Sequence, residues 1–445
     1  MIANSPLRIA VVGSGISGLS AAWLLSQRHE VVVYEKASRL GGHANTLPVR
    51  LDGREIPVDT GFIVFNPVTY PNFVALLAAL GVESQPSEMS FGVSLDDGGL
   101  EYCGDTLNTL FGQRANLVRP RFWSMLADLV RFYREAARDA NRLDDERLSL
   151  GAYLERGRYG APFRDWHILP MAAAIWSATP SQILAYPAAA FLRFYANHGL
   201  LQFTRRPVWR TVSGGSRAYV ERLARPLAGR IRLGADIARI AREGGRVTIV
   251  ERDGVRDVFD HVVIATHADE ALALLAEPSV QERALLGAFR YSRNEAWLHS
   301  DERLAPRRRQ LWSSWNFIGA GADGVCVTYW MNRLQNLATE TPLFVTLNPP
   351  RPPRASSVIA RESYAHPLFD TRALAAQRRL WSLQGARNTW FCGAHFGAGF
   401  HEDGLQAGLA VAEQLGGLRR PWRVEDQSSR IHVGAAAPAA LETAA

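Results

Sequence analysis

Residues 8–46 read RIAVVGSGISGLSAAWLLSQRHEVVVYEKASRLGGHANT, and this stretch decides the fold of the chain. It opens with the short apolar run 9–12, which is typical of a buried parallel strand. The run Gly13-Ser14-Gly15-Ile16-Ser17-Gly18 comes next, followed by a helical segment through Leu25 and a second strand that ends on Glu35. A strand, a G-x-G-x-x-G turn, a helix and an acidic residue about 20 positions later predict a dinucleotide-binding unit.

The residues of this unit have separate mechanical roles. Gly13 permits the tight turn, Gly15 lets the backbone approach a pyrophosphate, and Gly18 lets helix and strand pack closely. The helix N-terminus supplies free N–H groups and a positive dipole end to the phosphates. Glu35 is placed to accept hydrogen bonds from a ribose.

The residues after Glu35 indicate which dinucleotide is bound. Arg39-Leu40-Gly41-Gly42 resembles the extension that marks the FAD-binding members of this fold, as opposed to the NAD-binding ones. The two glycines let the chain pass flat against a bulky cofactor, and Arg39 can neutralise a phosphate. The alternative is a glycine-rich turn with a surface arginine. In this motif context, we predict FAD.

Composition sets broad limits. The 445 residues favour two domains, and 47% hydrophobic with 21% charged residues describe an ordinary folded protein. The net charge is +7 and rests on arginine, since Lys36 is the only lysine. An arginine bias can reflect genome composition, or it can favour a membrane surface or an acidic substrate. No nucleic-acid module is evident, so we expect no nucleic-acid partner.

The compartment is inferred from the cysteines and the apolar segments. Cys103, Cys326 and Cys392 are widely spaced, which suits a reducing compartment and argues against disulfides or a metal site. No signal peptide is recognised. The apolar region 168–194 is a poor spanning helix because three prolines interrupt it. We therefore expect a cytoplasmic protein, either free or peripheral to the inner face of the membrane.

Three distant segments together resemble the flavin amine oxidase and phytoene desaturase superfamily. They are the N-terminal unit, Ser213-Gly214-Gly215 before a helix, and Gly399-Phe400-His401-Glu402-Asp403-Gly404. In that family, the last segment opens the final helix against the flavin. A helix N-terminus there stabilises negative charge on the reduced flavin. A second G-x-G-x-x-G at 319–324 precedes a strand instead of a helix, so we interpret it as a hairpin loop.

The resemblance implies an α/β fold, with an FAD-binding Rossmann-type, glutathione-reductase-like domain and an inserted α+β substrate domain. The predicted parts of the FAD-binding domain are 1–81, 205–275 and 385–418. Those of the substrate domain are 82–204, which is helical, and 276–384, which is an antiparallel sheet. A disordered tail is expected over 419–445.

Two departures from the family pattern count against a standard amine oxidase. Many amine oxidases of the superfamily keep a lysine that holds a water against flavin N5, and Lys36 cannot reach that position. His43 also replaces the second arginine of the family's Gly-Gly-Arg. At closer range, several short stretches are similar to a bacterial subgroup of the superfamily. Two of them are Gly42-His43-Ala44-Asn45-Thr46 and Asn197-His198-Gly199-Leu200-Leu201. Its genes often accompany cyclopropane-fatty-acid-synthase-like methyltransferases, and some members are implicated in desaturating methylated acyl chains on the way to furan fatty acids.

Motif and resemblance together predict a set of cofactor-binding residues. These are Gly13, Gly15, Ile16, Ser17, Gly18, Glu35, Lys36, Arg39, Gly41, Gly42, His43, Thr60, Gly61, Ile237, Gly393, Glu402, Asp403, Gly404 and Leu405. Glu402 and Asp403 bind the ribityl chain through side chain or backbone, or favour the helix N-terminus electrostatically, and both can hold together. The predicted catalytic residues are His401 and His395, as proton acceptors; the alternative is a histidine packed at a helix start.

Three further features are ambiguous in the sequence. Tyr364-Ala365-His366-Pro367 either lines the substrate side or forms a structural loop. Cys392 is either a covalent flavin tether or a small buried side chain in a strand. An aromatic cluster either walls an apolar channel or belongs to the core, and its members are Phe191, Phe194, Tyr195, Phe203 and Trp209.

The predicted function is oxidation of a substrate carbon by hydride transfer to flavin N5. The resemblance implies a methylated or otherwise modified fatty acyl chain, which would be desaturated, a membrane surface and a lipid methyltransferase partner. One alternative is an amine oxidase. Another is a flavin-bearing partner of a lipid methyltransferase that does not turn over itself. The electron acceptor stays open between oxygen, a quinone and a protein.

Overall fold

The computed structural model describes residues 5–143, 145, 147–176, 178–202, 207–319 and 325–434. The strands are β1 (Arg8–Val12), β2 (Glu30–Glu35), β3 (Thr46–Leu51), β4 (Arg54–Asp59), β5 (Val64–Phe65), β6 (Ser84–Pro86), β7 (Phe91–Leu95), β8 (Leu100–Cys103), β9 (Arg210–Val212), β10 (Ile231–Leu233), β11 (Ile237–Glu243), β12 (Arg246–Glu251), β13 (Arg256–Phe259), β14 (His261–Ile264), β15 (Arg290–His299), β16 (Trp315–Gly319), β17 (Val325–Trp330), β18 (Phe344–Leu347), β19 (Val358–Leu368) and β20 (Thr389–Phe391).

The helices are α1 (Ile16–Leu25), α2 (Pro71–Leu80), α3 (Leu107–Leu110), α4 (Pro120–Asp139), α5 (Leu150–Arg156), α6 (Ala161–Phe163), α7 (Leu169–Trp176), α8 (Pro180–Ala185), α9 (Ala188–Asn197), α10 (Arg217–Ala224), α11 (Ala268–Leu274), α12 (Val280–Leu286), α13 (Met331–Leu334), α14 (Thr371–Gln377) and α15 (His401–Gly416). No helix in the described part of the chain is long and apolar enough to cross a bilayer.

A parallel five-stranded sheet carries the dinucleotide motif. Its order is β10-β2-β1-β14-β20, so distant parts of the sequence meet in it. The apolar run of β1 is buried because helices cover the sheet. Helices α1 and α15 cross so closely that a Cβ at Gly408 would overlap the Ser17 carbonyl oxygen. The motif that follows β1 is therefore held between the sheet and α15.

A second core lies between a mixed seven-stranded sheet and the helical region. The sheet order is β19-β15-β18-β17-β16-β7-β8, and α7 packs against β16 and β17. Side chains from α4, α7 and α9 complete this core. Strands β16 and β17 are antiparallel neighbours, as the hairpin interpretation of 319–324 requires. The connecting residues 320–324 lie outside the described residues.

Two sequence predictions need correction. The alternating residues 231–240 predict one strand. The structure has two there, because Gly234 turns the chain at φ +69° and sends β10 and β11 into different sheets. The tail is also ordered over 419–434. There Arg420 forms a buried ion pair with Glu413 at 2.8 Å, and Arg430 pairs with Asp403 at 2.5 Å. Residues 435–445 lie outside the described residues.

Candidate active site

A cavity of about 1610 Å³ is lined by side chains of both cores. Its lining begins at the carboxyl ends of β1 and β2 and continues to α4, α7 and α9. Open α/β sheets bind ligands at the carboxyl ends of their strands. Ordinary ligand pockets measure roughly 300–1,000 Å³. This cavity therefore has room for a large cofactor and a second molecule.

The glycine turn occupies one end of the cavity. Gly13 has φ +100°, which favours glycine, and a Cβ at Gly18 would overlap the Gly13 carbonyl oxygen. The predicted turn and packing roles are confirmed. A Cβ at Gly15 would meet no atom within 4 Å, because that position faces the open cavity. Ile16 and Ser17, in the first turn of α1, line the same end.

Glu35 lies beside the glycine turn. One carboxylate oxygen accepts hydrogen bonds from the Ser14 amide at 2.9 Å and from the Ser14 hydroxyl. The other accepts from the Ala37 amide at 2.8 Å. These bonds fix the carboxylate in the cavity wall, where sequence predicts a ribose. The exposed residue Lys36 lines this end as well, and so does Ile237 of β11.

The segment from Arg39 to Gly42 crosses the glycine turn. Arg39 donates from Nη1 to the Gly42 carbonyl at 2.9 Å. A Cβ at Gly42 would lie 3.2 Å from the Gly15 Cα, and one at Gly41 would overlap the Ala44 carbonyl oxygen. The flat passage predicted for these glycines is present, and Arg39, Gly41 and Gly42 all line the cavity.

Further along the cavity, the chain passes His43, Thr60 and Gly61. A Cβ at Gly61 would overlap the His43 carbonyl oxygen, so these backbones touch. The Thr60 hydroxyl lies 2.7 Å from the Tyr364 hydroxyl, which also accepts a hydrogen bond from Asn45 at 3.0 Å. The residues from Tyr364 to Pro367 belong to β19, so the interpretation as a structural loop is wrong. They line the cavity, as the alternative interpretation predicts.

Three histidine rings meet near this point. The His43 ring centroid lies 5.5 Å from that of His366 and 6.0 Å from that of His267. Burial lowers the pKa of His366 to about 4 and holds the pKa of His43 well below its ordinary value. Both rings are therefore neutral at pH 7. His366 was named from the sequence only as part of the ambiguous segment 364–367, and His267 was not singled out, because no sequence spacing links the two.

At the start of α15, Glu402 is bonded within the protein, which differs from the predicted contact with the cofactor. Both oxygens of Glu402 are used by α2: they accept from the Asn72 amide at 3.0 Å, the Asn72 side chain at 2.8 Å and the Phe73 amide at 2.9 Å. Gln406 donates a fourth hydrogen bond at 3.0 Å. The interpretation of Glu402 as a ribityl-binding side chain is therefore corrected, because protein donors occupy the carboxylate.

Asp403 is likewise committed within the protein. It accepts from the Phe400 amide at 2.7 Å and pairs with Arg430. Gly404 packs against Ile16, with 3.1 Å between its Cβ position and Cγ2, and Leu405 is fully buried. Residues 402–405 are not part of the cavity lining. The electrostatic alternative for the two carboxylates, at the N-terminus of α15, agrees with this geometry.

The two predicted catalytic histidines lie in different surroundings. His401 lines the cavity and stacks on Phe62 at 3.7 Å, and its Nε2 lies 2.6 Å from the Tyr219 hydroxyl. The His395 ring packs edge-on against Phe289 at 5.3 Å, beside Gly393, with no hydrogen-bond partner for Nε2 among the described residues. Burial lowers the pKa of each histidine to about 3.

The other end of the cavity is an apolar lobe. Of the predicted aromatic cluster, Phe194 and Trp209 line it, whereas Phe191 and Tyr195 are core residues outside the lining. Phe203 lies outside the described residues. Phe400 stacks on Phe194 at 5.0 Å. Sequence reasoning missed the aliphatic part of the wall, which consists of Met125, Leu126, Leu129, Met171 and Ile175.

Cys392 follows β20 directly and is fully buried. Burial raises the pKa of its thiol to about 12. A protonated, enclosed thiol is unreactive, so the interpretation as a small buried side chain agrees with the structure.

FAD fits these surroundings. The open space at Gly15, the glycines that carry the chain flat across it, and the carboxylate of Glu35 match the pyrophosphate and ribose of a dinucleotide. The cavity continues from that end past His43 and Thr60 to the apolar lobe, so a long cofactor reaches the second domain.

Comparisons with known proteins agree with the site. Residues 16–300 match the family described as flavin containing amine oxidoreductase, which is more than half of the chain. Over 287 residues the chain is 27% identical to a protein of Mycobacterium tuberculosis named as a flavin-containing monoamine oxidase, AofH; the match covers 62% of this chain and 61% of that protein. It is 25% identical over 268 residues to the carotenoid phi-ring synthase of Chlorobaculum tepidum, covering 56% and 40%. The chain thus matches less than two thirds of each relative.

Solved structures show the same fold. A putrescine oxidase bound to putrescine has a TM-score of 0.68 at 16% identity, covering 92% of this chain and 99% of its own. A conjugated-linoleic-acid-producing fatty acid isomerase from P. acnes has a TM-score of 0.65 at 17% identity, covering 92% and 98%. The predicted α/β fold, with a Rossmann-type cofactor domain and a substrate domain, is confirmed. The chain belongs to the flavin-containing amine oxidoreductase family.

Proposed function

We propose that the enzyme acts on a methylated or otherwise modified fatty acyl chain of a phospholipid and desaturates it. The observation that supports this proposal is the continuity of one cavity, from the dinucleotide motif to a lobe walled by aliphatic and aromatic side chains. Such a lobe excludes water and stabilises an alkyl chain by burial. A fatty acid isomerase has the same fold, which supports an acyl chain as the substrate.

The cofactor and the chain have separate tasks in this proposal. FAD supplies a two-electron acceptor for a hydride from carbon. The apolar lobe orients the acyl chain, and the stacked rings of Phe194 and Phe400 form part of its wall. The aliphatic and aromatic side chains beside the acyl chain disfavour water next to the reacting carbons.

His401 is the residue that we propose as proton acceptor. It is neutral at pH 7, since its pKa is about 3. When the Tyr219 oxygen accepts the Nε2 proton, Nδ1 is free to take a proton from the carbon next to the oxidised one. His401→Gln is then expected to slow lipid oxidation by about 10²–10⁴-fold while one FAD per chain remains bound. His395 is the second candidate for the proton acceptor. Full turnover in the single variants of His401 and of His395 would contradict both roles.

The experiment that tests the function is anaerobic mixing of the holoenzyme with two substrate classes. Vesicles of methyl-branched phospholipid go into one cuvette, and a panel of monoamines and diamines goes into the other. We expect the oxidised flavin colour to disappear in the cuvette with lipid and to persist in the cuvette with amines. Colour that persists with lipid would contradict it.

An amine oxidase is the second candidate, favoured by the similarity to AofH. An ammonium group needs a carboxylate or an aromatic cage. Six carboxylates line the cavity. Glu35 is bonded at the glycine turn, Glu88 is paired with Arg333 at 3.2 Å, and Asp105, Asp236, Asp269 and Glu270 lie at the surface. Bleaching by amines alone would support this candidate. Bound flavin that neither class reduces, with co-purification of a lipid methyltransferase, would instead support a non-catalytic flavin-bearing partner.

A further inference from the structure

The outer surface of the helical region carries a concentration of exposed apolar side chains. Of the thirteen large apolar side chains exposed among the described residues, five fall within residues 107–130. Val118 is 83% exposed and Leu107 is 78% exposed. The five are Leu107, Leu117, Val118, Trp123 and Val130.

These side chains form one continuous surface. The Trp123 indole N–H donates to the Leu117 carbonyl at 2.9 Å, and the Trp123 ring lies 5.3 Å from that of Phe111. The Phe111 amide in turn donates to the Leu107 carbonyl at 3.2 Å. Val130 follows Trp123 by seven residues on α4, so both lie on the same side of that helix.

Arginines surround these side chains. Arg114, Arg119 and Arg134 lie in or beside the surface, and none of them forms an ion pair within the described part of the chain. Arg114 and Arg119 bond only to neutral groups, such as the side chains of Asn108 and Asn116. Residues 106–127 contain no aspartate or glutamate. We call the five apolar side chains and these three arginines the α3–α4 face.

A neighbouring side of α4 faces the cavity. Met125, Leu126 and Leu129 line the apolar lobe from within. Leu110, Asp105 and Gly104 also line it, and Gly104 and Asp105 are exposed. The lobe therefore reaches the protein surface beside the α3–α4 face.

We propose that the α3–α4 face docks on an anionic lipid membrane and that the acyl chain enters the lobe between Gly104 and Leu110. The arginines complement lipid phosphates, and a tryptophan among aliphatic side chains suits the boundary between headgroups and acyl chains. A second copy of the chain is disfavoured, because two such faces would bring six arginines together. The role of docking in delivering an acyl chain rests on the proposed lipid substrate. Docking itself is measured without turnover.

A fluorescent label gives a direct test on the holoenzyme. The three native cysteines are buried, so an environment-sensitive thiol dye reacts selectively with a Val118→Cys variant. The matched control is Val280→Cys on α12, where the native side chain is 82% exposed. Vesicles of phosphatidylcholine and phosphatidylglycerol, mixed about three to one, should shift the emission to the blue at position 118 and not at 280. An unchanged emission at 118, or an equal shift at both positions, would overturn the proposal.

Charge variants test the electrostatic part. Arg114→Gln combined with Arg134→Gln should lower the partition coefficient about thirtyfold, since each basic residue contributes roughly a fivefold factor at an anionic surface. Arg222→Gln with Arg225→Gln removes the same charge from exposed sites near α10 and should leave binding close to wild type. Equal losses in the two double variants would contradict a specific face.

The outcomes separate docking from function. A label that inserts while no lipid reduces the flavin supports the docking face and contradicts the proposed desaturation. Lipid-dependent reduction in detergent solution, without insertion of the label into vesicles, supports the function and overturns the docking face.

Discussion

Gly15 and Gly18 belong to one motif, but the absence of a side chain has a different consequence at each. A Cβ at Gly18 overlaps the backbone of Gly13, so that position is constrained by the fold itself. A Cβ at Gly15 enters empty space in the cavity, so the fold tolerates it. Gly15 is therefore needed for the ligand, and Gly18 for the protein.

The two positions predict opposite phenotypes. Gly15→Ala should leave the thermal stability of the apoprotein unchanged and weaken FAD binding at least tenfold, because the methyl group occupies pyrophosphate space. Gly18→Ala should destabilise the apoprotein by about 1–3 kcal/mol through overpacking. Melting curves and FAD titrations of both variants check this. Normal FAD affinity in Gly15→Ala would contradict the assigned pyrophosphate position.

Single residues also mark the limit of sequence reasoning. Glu35, Arg39 and Gly42 could be placed correctly because their spacing from the glycine motif is local. Tyr364 could not, because its contact with Thr60 spans 304 residues and depends on how β19 passes the cofactor domain. Glu402 was misassigned for a similar reason: its partner Asn72 lies 330 residues away.

At the scale of elements, Glu402 joins α15 to α2. Its carboxylate accepts both backbone and side-chain hydrogen bonds at the N-terminus of α2, and the residue is fully buried. The positive end of the α2 dipole adds to this interaction. Helix α15 is thereby fixed against both α1 and α2, which sets the position of its own N-terminus near the cavity.

Glu402→Gln should therefore reduce stability and not cofactor affinity. The substituted amide would point an N–H at donors, and a mismatched buried group costs about 1–3 kcal/mol. Urea unfolding and FAD titration measure the two effects separately, with exposed Glu425→Gln as the control. A large loss of FAD affinity without a loss of stability would restore the ribityl interpretation.

The helices and strands themselves were predictable where local signals were strong. Helix α2 runs from Pro71 to Leu80 and ends at Gly81 with φ +63°, as its proline and glycine indicate. The break between β10 and β11 was missed because Gly234 was the only local signal within an alternating pattern. The ordered segment after α15 was missed because its composition suggests disorder, whereas its arginines pair with buried acids.

At the scale of the whole molecule, several histidines are buried in the neutral form. Burial lowers the pKa of His198, His395 and His401 to about 3 and that of His366 to about 4. The unfolded chain binds protons at these groups below about pH 6.5, whereas the folded protein does not. Unfolding therefore takes up protons, and stability is lost as the pH falls through this window.

The apoprotein should accordingly lose stability between about pH 6.5 and 4, by up to about 1.4 kcal/mol per pH unit for each such histidine. Urea unfolding at a series of pH values measures the slope, and His198→Gln should make it shallower. A free energy of unfolding that stays constant or rises as the solution is acidified would contradict the buried neutral state.

The central claim is that one cavity holds FAD and an apolar chain side by side. Its most direct measurement is the visible spectrum of flavin in the holoenzyme, titrated with a long-chain acyl lipid under air-free conditions. Two variants serve as comparison: Ile175→Trp, which fills the apolar lobe, and Ile359→Trp, at a position exposed outside it. We predict one FAD per chain in all three proteins, and a lipid-induced spectral change in wild type and Ile359→Trp that is absent in Ile175→Trp. A protein that binds no flavin, or a spectral change that persists in Ile175→Trp, would contradict the account.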